Sequence, residues 1–290
     1  MVSNKIREAG YRKETGQTTN RSTPLLPGLT KILVLFSIVL CTYNVHAQHG
    51  KDSLAKYSYM IYGSYFNGKD SVTVTGTVFF IKKGAKTYLV RAKHVLSGWD
   101  VKNGSRSDNY PDIMYIRMIK DGKPHFCPID IKSIKKKSNG GFYYTDSDVV
   151  VMEFKEADQY QVNSIEHLVS KKIPAKAQRV MVHGYPVHDA SNYRYRGFSS
   201  MTASIASNPE EVVYYKDTET GIMVKDSINY AIMPNANVKS GFSGAPVFLF
   251  RNGNWVFGGL VSMYFQSDNY VTVVKPSIIM KQVNRRGRVI

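Results

Sequence analysis

Aromatic and β-branched residues come in short runs along this chain, broken at intervals by Gly, Asn and Asp. The runs lie at about 57–66, 72–82, 87–93, 112–120, 125–134 and 148–154, and again at about 178–183, 198–206, 211–216, 222–233, 246–250, 255–262 and 270–274. Each reads as a strand bounded by turn residues. Residues 155–175, between the two sets, are polar and mixed, with one short helix expected around Ser164 to Ser170. They read as a connection between two lobes. Pro276 follows the last run and opens a terminal helix, since proline suits the first helical turn. Many short strands with turn signals predict an all-β sandwich or barrel, and the pattern alone does not choose between them. No internal repeat interrupts it.

The first 47 residues stand apart. Lys5, Arg7, Arg12, Lys13, Arg21 and Lys31 precede an apolar run from Ile32 to Cys41, and Val45-His46-Ala47 follows. A charged region, a short apolar stretch and a small-residue cleavage site predict a secretory signal peptide cut after Ala47. The apolar run is too short to span a bilayer comfortably. Cys41 behind Leu40 makes a poor lipoprotein site. The length of the basic region leaves open a mis-assigned start or an uncleaved anchor. The expected location is secreted or periplasmic, with no stable membrane insertion after cleavage, or membrane-anchored if the segment is retained.

Removing residues 1–47 takes away 6 of the 39 Lys/Arg and 2 of the 22 Asp/Glu, so the net charge falls from +17 to +13. A basic surface attracts acidic proteins, anionic envelope polymers and nucleic acid. The cations are scattered, however, with short runs at Lys135-Lys136-Lys137 and Arg285-Arg286, and no zinc-finger spacing or RNA-binding signature accompanies them. They read as a solvated basic surface with no nucleic-acid partner. With Cys41 in the signal, Cys127 alone remains and no internal disulfide forms. A domain of this size buries enough core without one. Cys127 lies in an alternating stretch and reads as a buried or edge-strand filler. Its neighbour His125 invites a Cys-His dyad, but nothing supplies an oxyanion hole there.

The chemistry-bearing residues come in three places. Gly241-Phe242-Ser243-Gly244-Ala245-Pro246 sets a serine in a glycine-flanked turn, Ala92-Lys93-His94 sets a histidine at the end of an apolar strand, and Asp148 heads Val149-Val150-Val151-Met152. His, Asp, Ser is one of the chain orders in which the hydrolytic triad occurs. A hydroxyl is a poor nucleophile until an imidazole takes its proton, and the imidazole needs a carboxylate to fix its tautomer. Each position has a competing reading. His94 alone would pass as a surface histidine; Asp146 shares the turn of Asp148 but fits a backbone cap better; Ser240 lacks the following Gly and Pro.

Taken in order, these stretches resemble a trypsin-like (chymotrypsin-fold) serine protease of the compact bacterial secreted type, without a PDZ domain, over roughly residues 57 to 285. The stretch from Thr75 to Leu96 resembles the strand-hairpin-strand that ends in the catalytic His. Asp146 to Phe154 resembles the strand headed by the Asp, and Asn237 to Phe250 the loop carrying the Ser. Trp255 to Tyr264 and Asn269 to Val283 resemble the strand beside the substrate, the last strand and the terminal helix. The spacings, 54 residues from His94 to Asp148 and 95 from Asp148 to Ser243, suit that fold.

The resemblance implies two packed six-stranded antiparallel β-barrels with a short C-terminal helix. Residues 48–170 would form the lobe carrying His and Asp, and 171–290 the lobe carrying Ser. It implies a secreted serine endopeptidase acting on polypeptides, with no cofactor and no metal. His94 is then the general base and acid, Asp148 its orienting carboxylate and Ser243 the nucleophile. The N–H groups of Gly241 and Ser243 form the oxyanion hole, and Ser262 hydrogen-bonds the aspartate. Asn237 lies at the floor of the primary pocket, with Val261, Met263 and Tyr264 on the adjoining strand; a neutral floor implies preference for uncharged residues. Phe242 stands where animal digestive proteases carry an aspartate that pairs with a newly cut N-terminus, so that activation route is not expected. Arg91 and Lys93 stand where the family usually has small residues, which makes the charge geometry around His94 matter. His183-Gly184-Tyr185-Pro186 resembles a structural Gly-Tyr-Pro turn, and His183 and His188 lack metal-ligand companions. Two other classes stay open: a catalytically silent relative that binds peptides in its cleft, and a basic envelope-associated binding protein.

Overall fold

The two sets of runs form two antiparallel sheets. The computed structural model describes residues 53–66, 71–97, 111–131, 147–170, 179–186, 198–207, 213–216, 223–226, 229–236, 238, 240–266 and 268–286. The proposed signal segment, Asp146, His188 and Asn237 lie outside the described residues. In the first sheet are β1 (Tyr59–Phe66), β2 (Ser71–Lys83), β3 (Lys86–Arg91), β4 (Ile113–Lys120), β5 (Lys123–Asp130) and β6 (Val150–Glu153). They are ordered β5-β4-β1-β2-β3-β6. In the second region are β7 (Arg179–Gly184), β8 (Ser199–Ile205), β9 (Val213–Lys216), β10 (Met223–Asp226), β11 (Asn229–Pro234), β12 (Pro246–Arg251), β13 (Asn254–Phe265) and β14 (Tyr270–Val274). Six of these close into a barrel, β11-β14-β13-β12-β7-β8, and β9 pairs with β10 as a separate ribbon.

Most boundaries match the hydrophobic runs to within a few residues. The run at 222–233 is the exception, because it divides into β10 and β11. The expected helix near Ser164 is a 3-10 turn, Glu166–Leu168, preceded by a second at Lys155–Gln159. The terminal helix runs from Pro276 to Arg286. Among the described residues no helix is long and apolar enough to cross a membrane.

Alternation along β2 and β3 explains how the layers stack. Val78 and Phe80 face the interior of the first sheet with Leu89, Met114, Ile116 and Val150. Phe79, Ile81, Tyr88 and Val90 turn the other way, onto Phe248, Phe257 and Leu260 of the barrel and Ile279 and Val283 of the terminal helix. A strand buried on both faces reads as an unbroken apolar run, and Val78-Phe79-Phe80-Ile81 is one, each residue fully buried. Phe79 and Phe257 meet with ring centroids 5.3 Å apart. The polar connection crosses the same seam: Ile165 N donates to Phe80 O at 3.0 Å, and Val169 bridges Phe257. Asp121-Gly122 and Asn252-Gly253 close the β4–β5 and β12–β13 hairpins, all four residues at positive φ as the type I′ turn demands.

Phe79→Ala should open a cavity at this seam, costing about 3–5 kcal/mol. Because the seam belongs to both sheets, calorimetry should show one transition moved to lower temperature. Two separated transitions would show that the sheets hold independently.

Candidate active site

The end of β3 delivers His94. The strand stops at Arg91, Ala92 packs into the seam, and the chain turns into a short helix, Lys93–Ser97. That turn is held by Asp148. Lys93 N donates to the Asp148 carbonyl at 3.3 Å, and His94 N donates to Oδ1 at 2.9 Å. The His94 ring then meets the other carboxylate oxygen, Nδ1 to Oδ2 at 2.8 Å. An ionised carboxylate can only accept, so Nδ1 carries a proton and donates to it. Ser262 Oγ, from β13 in the barrel, donates to the same Oδ2 at 2.6 Å. The residue before Asp148 is anchored as well, since Gln282 of the terminal helix donates to Ser147 Oγ at 3.1 Å.

Burial alone would push the Asp148 carboxyl up. The charge of His94 and the hydrogen bonds from its ring, from Ser262 and from the His94 N–H outweigh burial and hold it below its ordinary 3.8.

Ser243 occupies a turn closed by Ala245 N donating to Phe242 O at 2.8 Å. Gly244, third in that turn, has φ +86, the value a type II turn needs there. A Cβ on Gly244 would also strike the Thr77 carbonyl, and one on Gly241 (φ +104) would strike the Tyr185 carbonyl. The turn is zipped to β13 by Gly244 N to Val261 O (2.8 Å) and Val261 N to Ala245 O (2.9 Å). It is tied to the first sheet by Thr77 N to Ser243 O (2.9 Å) and Thr77 Oγ1 to Gly241 O (2.8 Å). The N–H groups of Gly241 and Ser243 have no partner among the described residues.

His94, Ser240, Phe242, Ser243 and Ser262 border one cleft of about 650 Å³, with Val238, Val261, Met263, Tyr264, Phe265, Gln266 and Asn269. His94 is the one ionisable side chain among these besides the Tyr264 phenol. The Ser243 hydroxyl makes no hydrogen bond to the His94 ring, a pairing that in unliganded sites often tightens only when substrate arrives. Tyr264 OH donates to Asn269 Oδ1 at 3.2 Å across the rim.

The ladder between β13 and β14 slips between Val261 and Tyr264. Thr272 fills the slip, its hydroxyl accepting from Met263 N (3.1 Å) and donating to Met263 O (3.4 Å). Such a bulge re-aims side chains beside a site. Here it lies where Ser262 meets Asp148 and Met263 borders the cleft. Thr77 and Thr272 were not singled out from sequence, because a threonine in a strand carries no mark of the turn or bulge it serves. His183 is buried, with Nδ1 2.9 Å from Ser200 Oγ and its ring stacked on Phe198. Among the described residues no group of three or more His, Cys, Asp or Glu is placed to hold a metal ion.

No protein-family model matches the chain, and no curated protein matches it. Among solved structures it is similar to the Rv3671c protease from M. tuberculosis in its active form, with a TM-score of 0.51. The match covers 82% of this chain and 84% of that one, at 15% sequence identity. The architecture, a six-stranded antiparallel sheet packed on a closed six-stranded barrel with a short C-terminal helix, is consistent with a chymotrypsin-like double barrel, though among the described residues the second sheet alone closes. Identity this low speaks for architecture and leaves the chemistry to the residues themselves.

The Asp148 carboxylate makes stability depend on pH in one direction. Its folded pKa lies below 3.8, so its contribution is complete above that value and is lost as pH falls through the folded value. Urea midpoints of the wild type should therefore drop as pH falls below about 4. Asp148→Asn should flatten that dependence and Ser262→Ala should weaken it. Equal slopes in all three would assign the acid loss to other carboxylates.

Proposed function

We propose that this chain is a serine endopeptidase that works outside the cytoplasm, secreted or periplasmic, after export through its N-terminal segment. The observation that carries the reading is the hydrogen-bonded set His94–Asp148–Ser262, whose His94 and Ser262 border the same cleft as Ser243, with Ser243 in a glycine-built turn. His94 Nε2 takes the proton of Ser243 Oγ as that oxygen attacks the substrate carbonyl. The carbonyl oxygen gains negative charge and is met by the N–H groups of Gly241 and Ser243. Asp148 stabilises the imidazolium, which then gives its proton to the leaving amine. Water repeats the sequence on the acyl-enzyme and frees Ser243. The cleft lining is neutral apart from the triad, so the residue before the cleaved bond is uncharged in preferred substrates, with Val261, Met263 and Tyr264 lining its pocket and Asn237 proposed at the floor.

One observation favours a second reading. The missing Ser243–His94 hydrogen bond is what a peptide-binding cleft without hydrolysis would show. Labelling by a fluorophosphonate probe separates the two. Wild type should label, Ser243→Ala should not, and Asp148→Asn should label more slowly, on the order of 10⁴-fold. A folded wild type that resists the probe would overturn hydrolysis and put peptide binding in its place.

A further inference from the structure

Two features that stand out in the sequence, Phe242 and the stretch His183-Gly184-Tyr185-Pro186, meet in the fold. His183 and Gly184 end β7, and the Phe242 ring lies so near that a Cβ on Gly184 would come within 2.7 Å of it. The next residue, Tyr185, presents its carbonyl to Gly241, where any Cβ would strike it. Tyr185 N donates to Thr77 Oγ1 at 3.1 Å, and that hydroxyl donates to Gly241 O at 2.8 Å. The serine turn therefore rests on the end of β7. Gly241 cannot shift toward β7 unless Tyr185 shifts with it.

The same strand end is also held from the stretch before β1. Leu54, Tyr57 and Ser58 are all buried there. Leu54 and Tyr57 pack into the seam with Phe248, Phe257 and Ile279, and Tyr57 OH lies 3.0 Å from His167 Nε2 in the inter-lobe connection. Ser58, between these anchors and β1, turns onto β7. Its Oγ donates to the His183 carbonyl at 2.9 Å, and its own carbonyl accepts from the Tyr185 hydroxyl at 3.2 Å. Neither bond belongs to a strand ladder, since β1 pairs with β2 and β4 and β7 with β8 and β12. Two side-chain hydroxyls thus join segments 125 and 127 residues apart, directly behind Gly241.

We propose that Ser58 and Tyr185 are positioning residues of the serine turn, a role that rests on the hydrolytic reading of Ser243. The stretch before β1 pins the end of β7, and β7 in turn fixes Gly241, whose N–H serves the oxyanion. Neither residue touches substrate. Both act through the backbone of β7, and an oxyanion hole works only while its donors are already in place. Phe242, which cannot form an ion pair, contributes its ring to the same contact. The residues just ahead of β1 are therefore part of what keeps the site assembled.

The experiment follows fluorophosphonate labelling of the full chain against probe concentration for wild type, Ser58→Ala, Tyr185→Phe and Tyr57→Phe. Deuterium exchange of the backbone amides runs beside it. Ser58→Ala and Tyr185→Phe each remove one hydroxyl and keep the packing, so both should fold. Their maximal labelling rate should fall roughly three- to tenfold, the worth of one hydrogen bond. The probe concentration giving half that rate should stay as in wild type, because the oxyanion donors act on the transition state. Tyr57→Phe takes a hydroxyl from the same stretch without touching β7, and it should label like wild type. Exchange at Thr77 and Gly244, whose N–H groups bond the Ser243 and Val261 carbonyls, should quicken in Ser58→Ala and Tyr185→Phe while the β4–β5 hairpin keeps its rates. Unchanged labelling and exchange in both variants, or a slowing that Tyr57→Phe reproduces, would overturn the assignment. If the wild type does not label at all, that failure belongs to the hydrolytic reading, and the exchange rates still decide whether Ser58 and Tyr185 hold the serine turn.

Discussion

The Asp148 carboxylate is a point at which the two sheets share an interaction rather than a mere contact. It accepts the backbone N–H that starts the helix after β3, the ring of His94, and a hydroxyl from β13 across the seam. Three acceptor bonds on one partly buried carboxylate hold it ionised. Protonation would weaken all three at once and turn one carboxyl oxygen into a donor. The position of His94 against the barrel therefore depends on a single charge, and the apolar seam around it is what makes that charge strong.

The rest of the site is built by close approach of backbones, which side chains only permit. Gly241 and Gly244 let the serine turn lie against the Tyr185 and Thr77 carbonyls, where any Cβ would collide. Thr77 then bonds the turn through its N–H, while its hydroxyl donates to Gly241 and accepts from Tyr185 N at 3.1 Å. One threonine on β2 thus links the first sheet to the serine turn and to the end of β7. Shape on one side of the cleft and charge on the other are fixed by different means: steric exclusion at Gly241–Gly244, a shared carboxylate at His94.

Much of this was legible in the sequence, for reasons that differ by element. Long apolar strands such as Val78–Ile81 announce burial on both faces. Ser243, His94 and Asp148 stood out because glycine flanks, a strand end and an apolar run are local signals. What escaped detection depends on register. Residues 222–233 are one run of strand-forming residues, but pairing with two different partners splits them, β10 on β9 and β11 on β8 and β14. The bulge at Ser262–Met263 exists only because β14 sets Thr272 against it. The 3-10 turn at Glu166–Leu168 replaces a helix because Ser164 and Val169 on either side are held by β-bridges to the two sheets, leaving no room for a second helical turn.

Arg91 was read from sequence as a departure from pattern near His94, without any indication of which way it points. An arginine in a strand ordinarily marks a solvent-facing position. Strand alternation places this one with Leu89, on the inner face, and the fold supplies a fully buried pocket with sulfur for an acceptor. Local rules broken without local compensation tend to coincide with functional sites, where the compensation is electrostatic and comes from elsewhere in the chain.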